Sequence, residues 1–231
     1  RDRDTLRKAR VHPLSVLVAL KTYQQGGGMR GSLTWSPVNT VTDALDDAFY
    51  AAFDNVQSSG KRYLLGIDIS GSMSGMMFGG IAGMPISPRE GAAAMAMVTA
   101  KAEEDYHIMG FGHQFCELGI TAKDSLESAC NKASGRFQMT DCALPMIYAE
   151  KNKIPVDMFC VYTDAETFFG NIHPSQALDR YRKTMGIDAK LVCIGMEGNP
   201  FSIADPNDGG MLDVVGFSTD TPQVISEFAA G

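Results

Sequence analysis

The spacing of apolar residues changes near residue 60. Before it, Val41, Leu45, Ala48, Phe49, Ala52, Phe53 and Val56 recur at three- and four-residue intervals, which predicts a helix over 40–56. Thr40 or Thr42 offers a hydroxyl to cap its first turn. Two shorter helices are predicted upstream, over 4–10 and 13–25, separated at His12-Pro13. Proline suits a first helical position because its missing N–H would lack a partner there anyway. Gly26-Gly27-Gly28 ends the second helix, and 30–39, with Trp35 and Pro37, forms an ordered connection. The run Gln57-Ser58-Ser59-Gly60-Lys61 is the predicted domain boundary.

Beyond the boundary, short apolar runs alternate with helical patterns. Tyr63–Ile69 is nearly continuous in apolar residues, as expected for a strand covered on both faces. Further strands are predicted over Tyr106–Phe111, Val156–Thr163, Ala189–Ile194 and Met211–Phe217, with a short antiparallel one over Gln114–Ile120. Helices are predicted over Pro88–Glu104, Leu126–Lys132, Ala143–Asn152, Pro174–Met185 and Val224–Ala230. This alternation predicts an α/β, Rossmann-like fold: a mostly parallel sheet with helices on both faces, preceded by a short all-helical segment. A loop rich in Met73, Met76, Met77, Met84 and glycine follows the first strand; it serves either adaptable contacts or as a disordered insertion.

In such sheets ligands gather outside the carboxyl ends of the strands, where strand order reverses. Three polar clusters, each following an apolar strand or opening a helix, can meet at that edge: Asp68-Ile69-Ser70-Gly71-Ser72, Thr140-Asp141 and Thr163-Asp164-Ala165-Glu166. Asp68, Ser70, Ser72, Thr140 and Asp164 together offer only oxygen donors, which suits a hard cation and Mg²⁺ in particular. Three neutral hydroxyls would leave the two positive charges only partly cancelled by Asp68 and Asp164. An open coordination position would then accept an outside carboxylate or phosphate oxygen. Taken singly, Thr140 has the alternative role of a helix cap, and Glu166 either orients Asp164 or stands in solvent. The four histidines lack metal-ligand spacing; His12 and His173 precede prolines at predicted helix starts. Asp205, Asp208 and Asp213 are expected as turn and cap residues of a surface loop.

The order Asp68-x-Ser70-x-Ser72, then Thr140, then Asp164 resembles the metal-ion-dependent adhesion site of von Willebrand factor A domains. More specific segments resemble the C-terminal part of the Ro autoantigen and its bacterial Ro-like relatives. They are Lys8–Pro13, Leu64–Ser70, Thr140–Met146, Thr163–Phe168, His173–Lys183 and Ile203–Pro206. That resemblance implies a ring of helical repeats (the TROVE module) closed by an A domain. It implies residues 1–59 as the last helices of the ring and 60–231 as the A domain. It further implies a cytoplasmic, non-enzymatic ribonucleoprotein that binds small noncoding Y RNAs and the single-stranded ends of misfolded RNAs. An acidic protein is a further expected partner, at the metal site. A haloacid dehalogenase-type phosphotransferase also begins with a strand-end aspartate and uses Mg²⁺. It needs a second acid two residues on as general acid/base, and Ser70 stands there. An extracellular adhesion domain is disfavoured by the unpaired cysteines described next.

Composition narrows the classes further. Five widely spaced cysteines with no Cys-x-x-Cys pair indicate neither a zinc site nor a disulfide framework, and favour a reduced, cytosolic setting. No apolar run approaches the roughly 18 residues of a membrane span, and no secretory leader is expected. A chain opening on Arg1 is expected to be part of a longer protein. The net charge of −7 is uneven: residues 1–35 carry seven Lys/Arg against two acids, and the remainder 13 against 25. An acidic body attracts polyanions poorly, so nucleic-acid contact should favour the N-terminal end or a local cation.

Overall fold

The structure, a computed structural model, describes residues 5, 8–28, 31–75, 81, 84–135, 139–164, 170–196, 202–216 and 218–231. Its strands are β1 (Tyr63–Asp68), β2 (Tyr106–Phe111), β3 (Phe115–Glu117), β4 (Met158–Thr163), β5 (Lys190–Gly195) and β6 (Met211–Val215). They form one sheet in the order β3-β2-β1-β4-β5-β6, parallel except for the β2–β3 pair. Every residue of β1 and β4 is buried, as their apolar runs require. The chain leaves β1 for β2 on one side and returns to β4 on the other, so the reversal of strand order lies between β1 and β4.

Strand periodicity divides the core in two. Leu65, Ile67, Cys160, Tyr162, Val192 and Ile194 point into one layer, while Leu64, Phe159, Val161, Leu191 and Cys193 point into the other. The first layer is covered by the alanine- and methionine-rich helix Pro88–Ala102, whose small residues lie close to the sheet. Its start is fixed by reciprocal hydrogen bonds between Ser87 and Glu90. Helices Leu144–Asn152 and Pro174–Met185 cover the second layer. His12 and His173 cap the helices that begin at Pro13 and Pro174, each ring accepting a backbone N–H. Among the described residues the cysteines form no disulfide. Among the described residues no helix is long and apolar enough to cross a membrane.

The helices Pro13–Gln25 and Asn39–Ala51 pack on each other, and their Leu14, Leu17 and Phe49, with Phe53 just beyond, join the first layer's core. Lys21 Nζ reaches Glu90 Oε1 at 2.6 Å across that contact. The predicted helix 40–56 is shorter: it starts at Asn39, ends at Ala51 and tightens into a 3₁₀ turn over Ala52–Asn55. Neither Thr40 nor Thr42 caps it. Tyr23 Oη holds the Val38 N–H, and the Val38 carbonyl accepts from Val41 and Thr42, so both threonines lie inside the first turn. The apolar stripe is buried only at its far end, with Val41 40% exposed. Of the predicted helix 4–10, the Ala9 N–H to Thr5 carbonyl bond marks one turn, and most of the rest lies outside the described residues.

Other boundaries shift by a few residues. Gly216, at φ +83°, turns the chain out of the last strand after Val215. The closing helix starts at Thr221 rather than Val224, because Pro222 opens its first turn. Asp213 is not a loop residue: it lies on β6 and accepts from Ile203 N, Ala204 N and Ser202 Oγ, tying the preceding loop to the strand. Asp208 pairs with Arg182 at 2.5 Å, while Asp205 accepts the Asn207 N–H in a turn. Met73 and Met84 are core residues rather than adaptable surface ones, at 0% and 8% exposure. The 3₁₀ turn Ser72–Ser74 directs Met73 inward, and Met76 and Met77 lie outside the described residues.

Two carboxylates hold the region around residue 60. Glu103, itself 8% exposed, accepts from Ser59 N at 2.7 Å, Gly60 N at 3.1 Å and the hydroxyls of Ser58 and Ser59 at 2.8 Å. Asp157 accepts from Arg62 Nη2 at 2.6 Å, Nε at 2.8 Å and backbone N at 3.0 Å. Glu103→Ala is expected to lower stability by about 2 kcal/mol, since the donors of residues 58–60 lose a charged acceptor. Urea denaturation measures that, and limited trypsin digestion should show faster cleavage at Lys61. The Arg62 hydrogen bonds hold the Asp157 carboxyl below its ordinary range. A depressed carboxyl contributes stability that is present at neutral pH and lost as pH falls through its folded value. Asp157→Asn should therefore cost about 1 kcal/mol at pH 7, a modest amount for a partly exposed pair. The difference from wild type should shrink as pH falls below the free aspartate value of about 4, as thermal melts across pH would show.

Candidate metal centre

Asp68 ends β1 and is fully buried. A buried carboxylate is costly unless its charge is met, and here the partners are dipoles. Oδ1 accepts the Ser70 N–H at 2.8 Å; Oδ2 accepts the hydroxyls of Thr163 at 3.0 Å and Thr140 at 3.2 Å. Among the described residues no Lys or Arg pairs with Asp68.

Each donor is delivered by a separate element. The Asp68–Ser70 bond closes a side-chain turn directly after the strand. Ser72 opens the 3₁₀ turn that follows, and its Oγ lies 2.9 Å from Ser70 Oγ. Gly71 in between has φ −63° and open space around its Cα, so the turn makes no demand for glycine there. Thr140 lies in the loop before the helix Leu144–Asn152, whose cap position is Ala143. Thr140 thus directs its hydroxyl to Asp68 and does not cap that helix. Asp141 anchors this loop: its N–H donates to the Gly112 carbonyl beyond β2, and its Oδ1 accepts the Ala143 N–H, both at 3.0 Å. Burial pushes the Asp141 carboxyl above its ordinary range. Gly170, at φ +111°, lies against that carboxylate; a Cβ there would fall 2.5 Å from Asp141 Oδ2. Asp164 follows Thr163 at the carboxyl end of β4 and is half-buried. Glu166 lies outside the described residues.

The structure thus brings Asp68, Ser70, Ser72 and Thr140 together and sets Asp164 one residue beyond Thr163. Thr163 was grouped with Asp164 in sequence but not picked out for its own hydroxyl; its place at the end of an all-buried strand beside β1 is the signal that marks it. Among the described residues no three His, Cys, Asp or Glu side chains gather in a metal-holding group. Any cation here would rest on carboxylate and hydroxyl oxygens together. The donor chemistry fits one: at the roughly 2.1 Å bond length of Mg²⁺, adjacent ligands of an octahedron stand about 3 Å apart. The Ser70–Ser72 hydroxyl separation of 2.9 Å matches that edge. The buried Asp68 charge, met only by dipoles, fits a cation as well.

The chain and its fold match known proteins. The family model described as the Ro60 vWA domain matches residues 62–229. RNA-binding protein RO60 of Deinococcus radiodurans is 48% identical over the whole chain, which spans 43% of that protein. The Caenorhabditis elegans protein of the same name is 40% identical over the whole chain, which spans 36% of its length. The crystal structure of the Deinococcus radiodurans Ro protein superposes on the entire chain with a TM-score of 0.94 at 47% identity, the chain covering 46% of it. Proximal thread matrix protein 1 of the mussel byssus shares the fold alone, with a TM-score of 0.53 at 11% identity. This chain therefore belongs to the Ro60 family and carries its von Willebrand factor A domain.

Proposed function

We propose that this chain is the Mg²⁺-binding A-domain part of a cytoplasmic Ro-like RNA-binding protein that acts in noncoding RNA binding and RNA quality control. The observation that carries the metal reading is the buried Asp68 carboxylate with hydroxyls converging on and beside it. The relatives' printed name, RNA-binding protein, supports the RNA reading. Residues 1–59 are proposed as the last helices of a TROVE ring and 60–231 as the A domain.

Ser70, Ser72 and Thr140 would hold the cation through neutral oxygens, with Asp68 and Asp164 supplying negative charge. A bound Mg²⁺ would supply a focused positive charge with room for an outside acidic oxygen, from a phosphate or an acidic protein. Ser70 in the general acid/base position argues for binding rather than phosphoryl transfer. Small structured RNAs (Y RNAs) and misfolded RNA ends are proposed partners of the longer protein, not of this part alone. Phosphate contacts from Lys and Arg supply most nonspecific RNA affinity. Residues 36–231 carry 13 of them against 25 acids. One cation can hold one phosphate but cannot track a strand.

Calorimetric titration with Mg²⁺ and Mn²⁺ should show one site in the wild type and none in Asp68→Ala, with the sheet still folded by circular dichroism. Equal binding by the two proteins would remove the metal reading. Mobility-shift titrations across a salt series should show this chain binding single-stranded RNA weakly at physiological salt. A full-length relative that carries the helical ring should bind tightly. Matching affinity and salt slope for the two would make the A domain itself the RNA reader.

A further inference from the structure

We infer that Thr163 is a positioning residue of this centre, holding the Asp68 carboxylate and, through it, the Thr140 hydroxyl in the arrangement a small octahedral cation requires. The inference rests on the metal reading above. A threonine hydroxyl has one hydrogen to donate. Thr140 and Thr163 both direct theirs to Asp68 Oδ2, at 3.2 and 3.0 Å. Thr163 differs from Thr140 in how firmly it is held. It ends β4, in the row next to the Ile67–Tyr162 pair of β1 and β4, and pairs with Gly195 of β5 on its other side. Its carbonyl accepts the Met196 N–H at 2.7 Å. At 2% exposure, water has little access to replace its hydroxyl.

Thr140, by contrast, belongs to a loop. The strand-borne hydroxyl on Oδ2, with the Ser70 N–H on Oδ1, therefore sets the carboxylate plane, and the loop-borne one follows it. Removing the strand-borne hydrogen lets Asp68 turn about its terminal bond and carries Thr140 with it. Groups that orient ligands in this way typically account for 10–100-fold in metal affinity.

The test compares wild type, Thr163→Val and Thr163→Ser by calorimetry with Mg²⁺ and with Ca²⁺, each protein checked for folding by a metal-free melt. Valine keeps the shape and loses the hydroxyl; serine keeps the hydroxyl. The valine variant should bind Mg²⁺ about 10–100-fold more weakly, and serine should restore binding. Mg²⁺ demands near-ideal geometry whereas Ca²⁺ tolerates irregular coordination, so the loss should be larger for Mg²⁺ than for Ca²⁺. Thr163→Ala gives the same comparison if the valine variant does not fold. Unchanged Mg²⁺ binding by the valine variant, or equal losses of both cations in the valine and serine variants, would overturn the role of Thr163 while leaving the metal centre standing. A wild type that binds neither cation would overturn the centre and this inference together.

Discussion

The structure depends on a carboxylate that ends a strand buried on both faces. β1 can occupy the middle of the sheet because its run from Tyr63 to Ile67 is apolar or glycine, and it then places Asp68 at its carboxyl end without access to water. Such a group must be met by donors. The donors come from three directions: the turn at Ser70, the loop at Thr140 and the neighbouring strand at Thr163. One side chain therefore draws together the ends of β1 and β4 and the loop before the helix Leu144–Asn152, at the point where strand order reverses.

The same economy of buried polar groups governs the other end of the sheet and its helical neighbour. Glu103 gathers the backbone and hydroxyls of residues 58–60, so the polar run before β1 is fixed against the end of the helix Pro88–Ala102. Glu90 serves two elements at once, capping that helix through Ser87 and pairing with Lys21 of the helix Pro13–Gln25. Leu14, Leu17, Phe49 and Phe53 complete the contact by entering the sheet's own core. The helical pair and the sheet layer are thus joined by shared apolar burial as well as by polar ties.

The centre's chemistry follows from its neutral donors. Hydroxyls from Ser70, Ser72 and Thr140 cancel little charge, unlike a site built from carboxylates alone. A cation held there would retain attraction for an anionic oxygen from outside. Net charge opposes that attraction over the rest of the surface, where acids outnumber bases, so such a centre favours one focused contact over a broad electrostatic one.

Much of this was legible in the sequence. The alternation of strands and helices, the proline-led helix starts at His12-Pro13 and His173-Pro174, and the polar residues at strand ends are local patterns. They are set by side-chain period and backbone propensity, which a linear reading can see. The details that tertiary structure decided are long-range. Thr163 lies 95 residues from Asp68 and Thr140 lies 72, and only strand order and register bring their hydroxyls to one oxygen. Thr140 taken alone could serve as a helix cap, and the loop's anchor at Asp141 aims it elsewhere. Thr40 and Thr42 looked like caps until Tyr23 fixed the entry at Val38. Met73 looked like a flexible surface residue until one 3₁₀ turn sent it into the core. In each case the sequence specified the chemical capacity of the residue, and packing against distant elements selected which capacity was used.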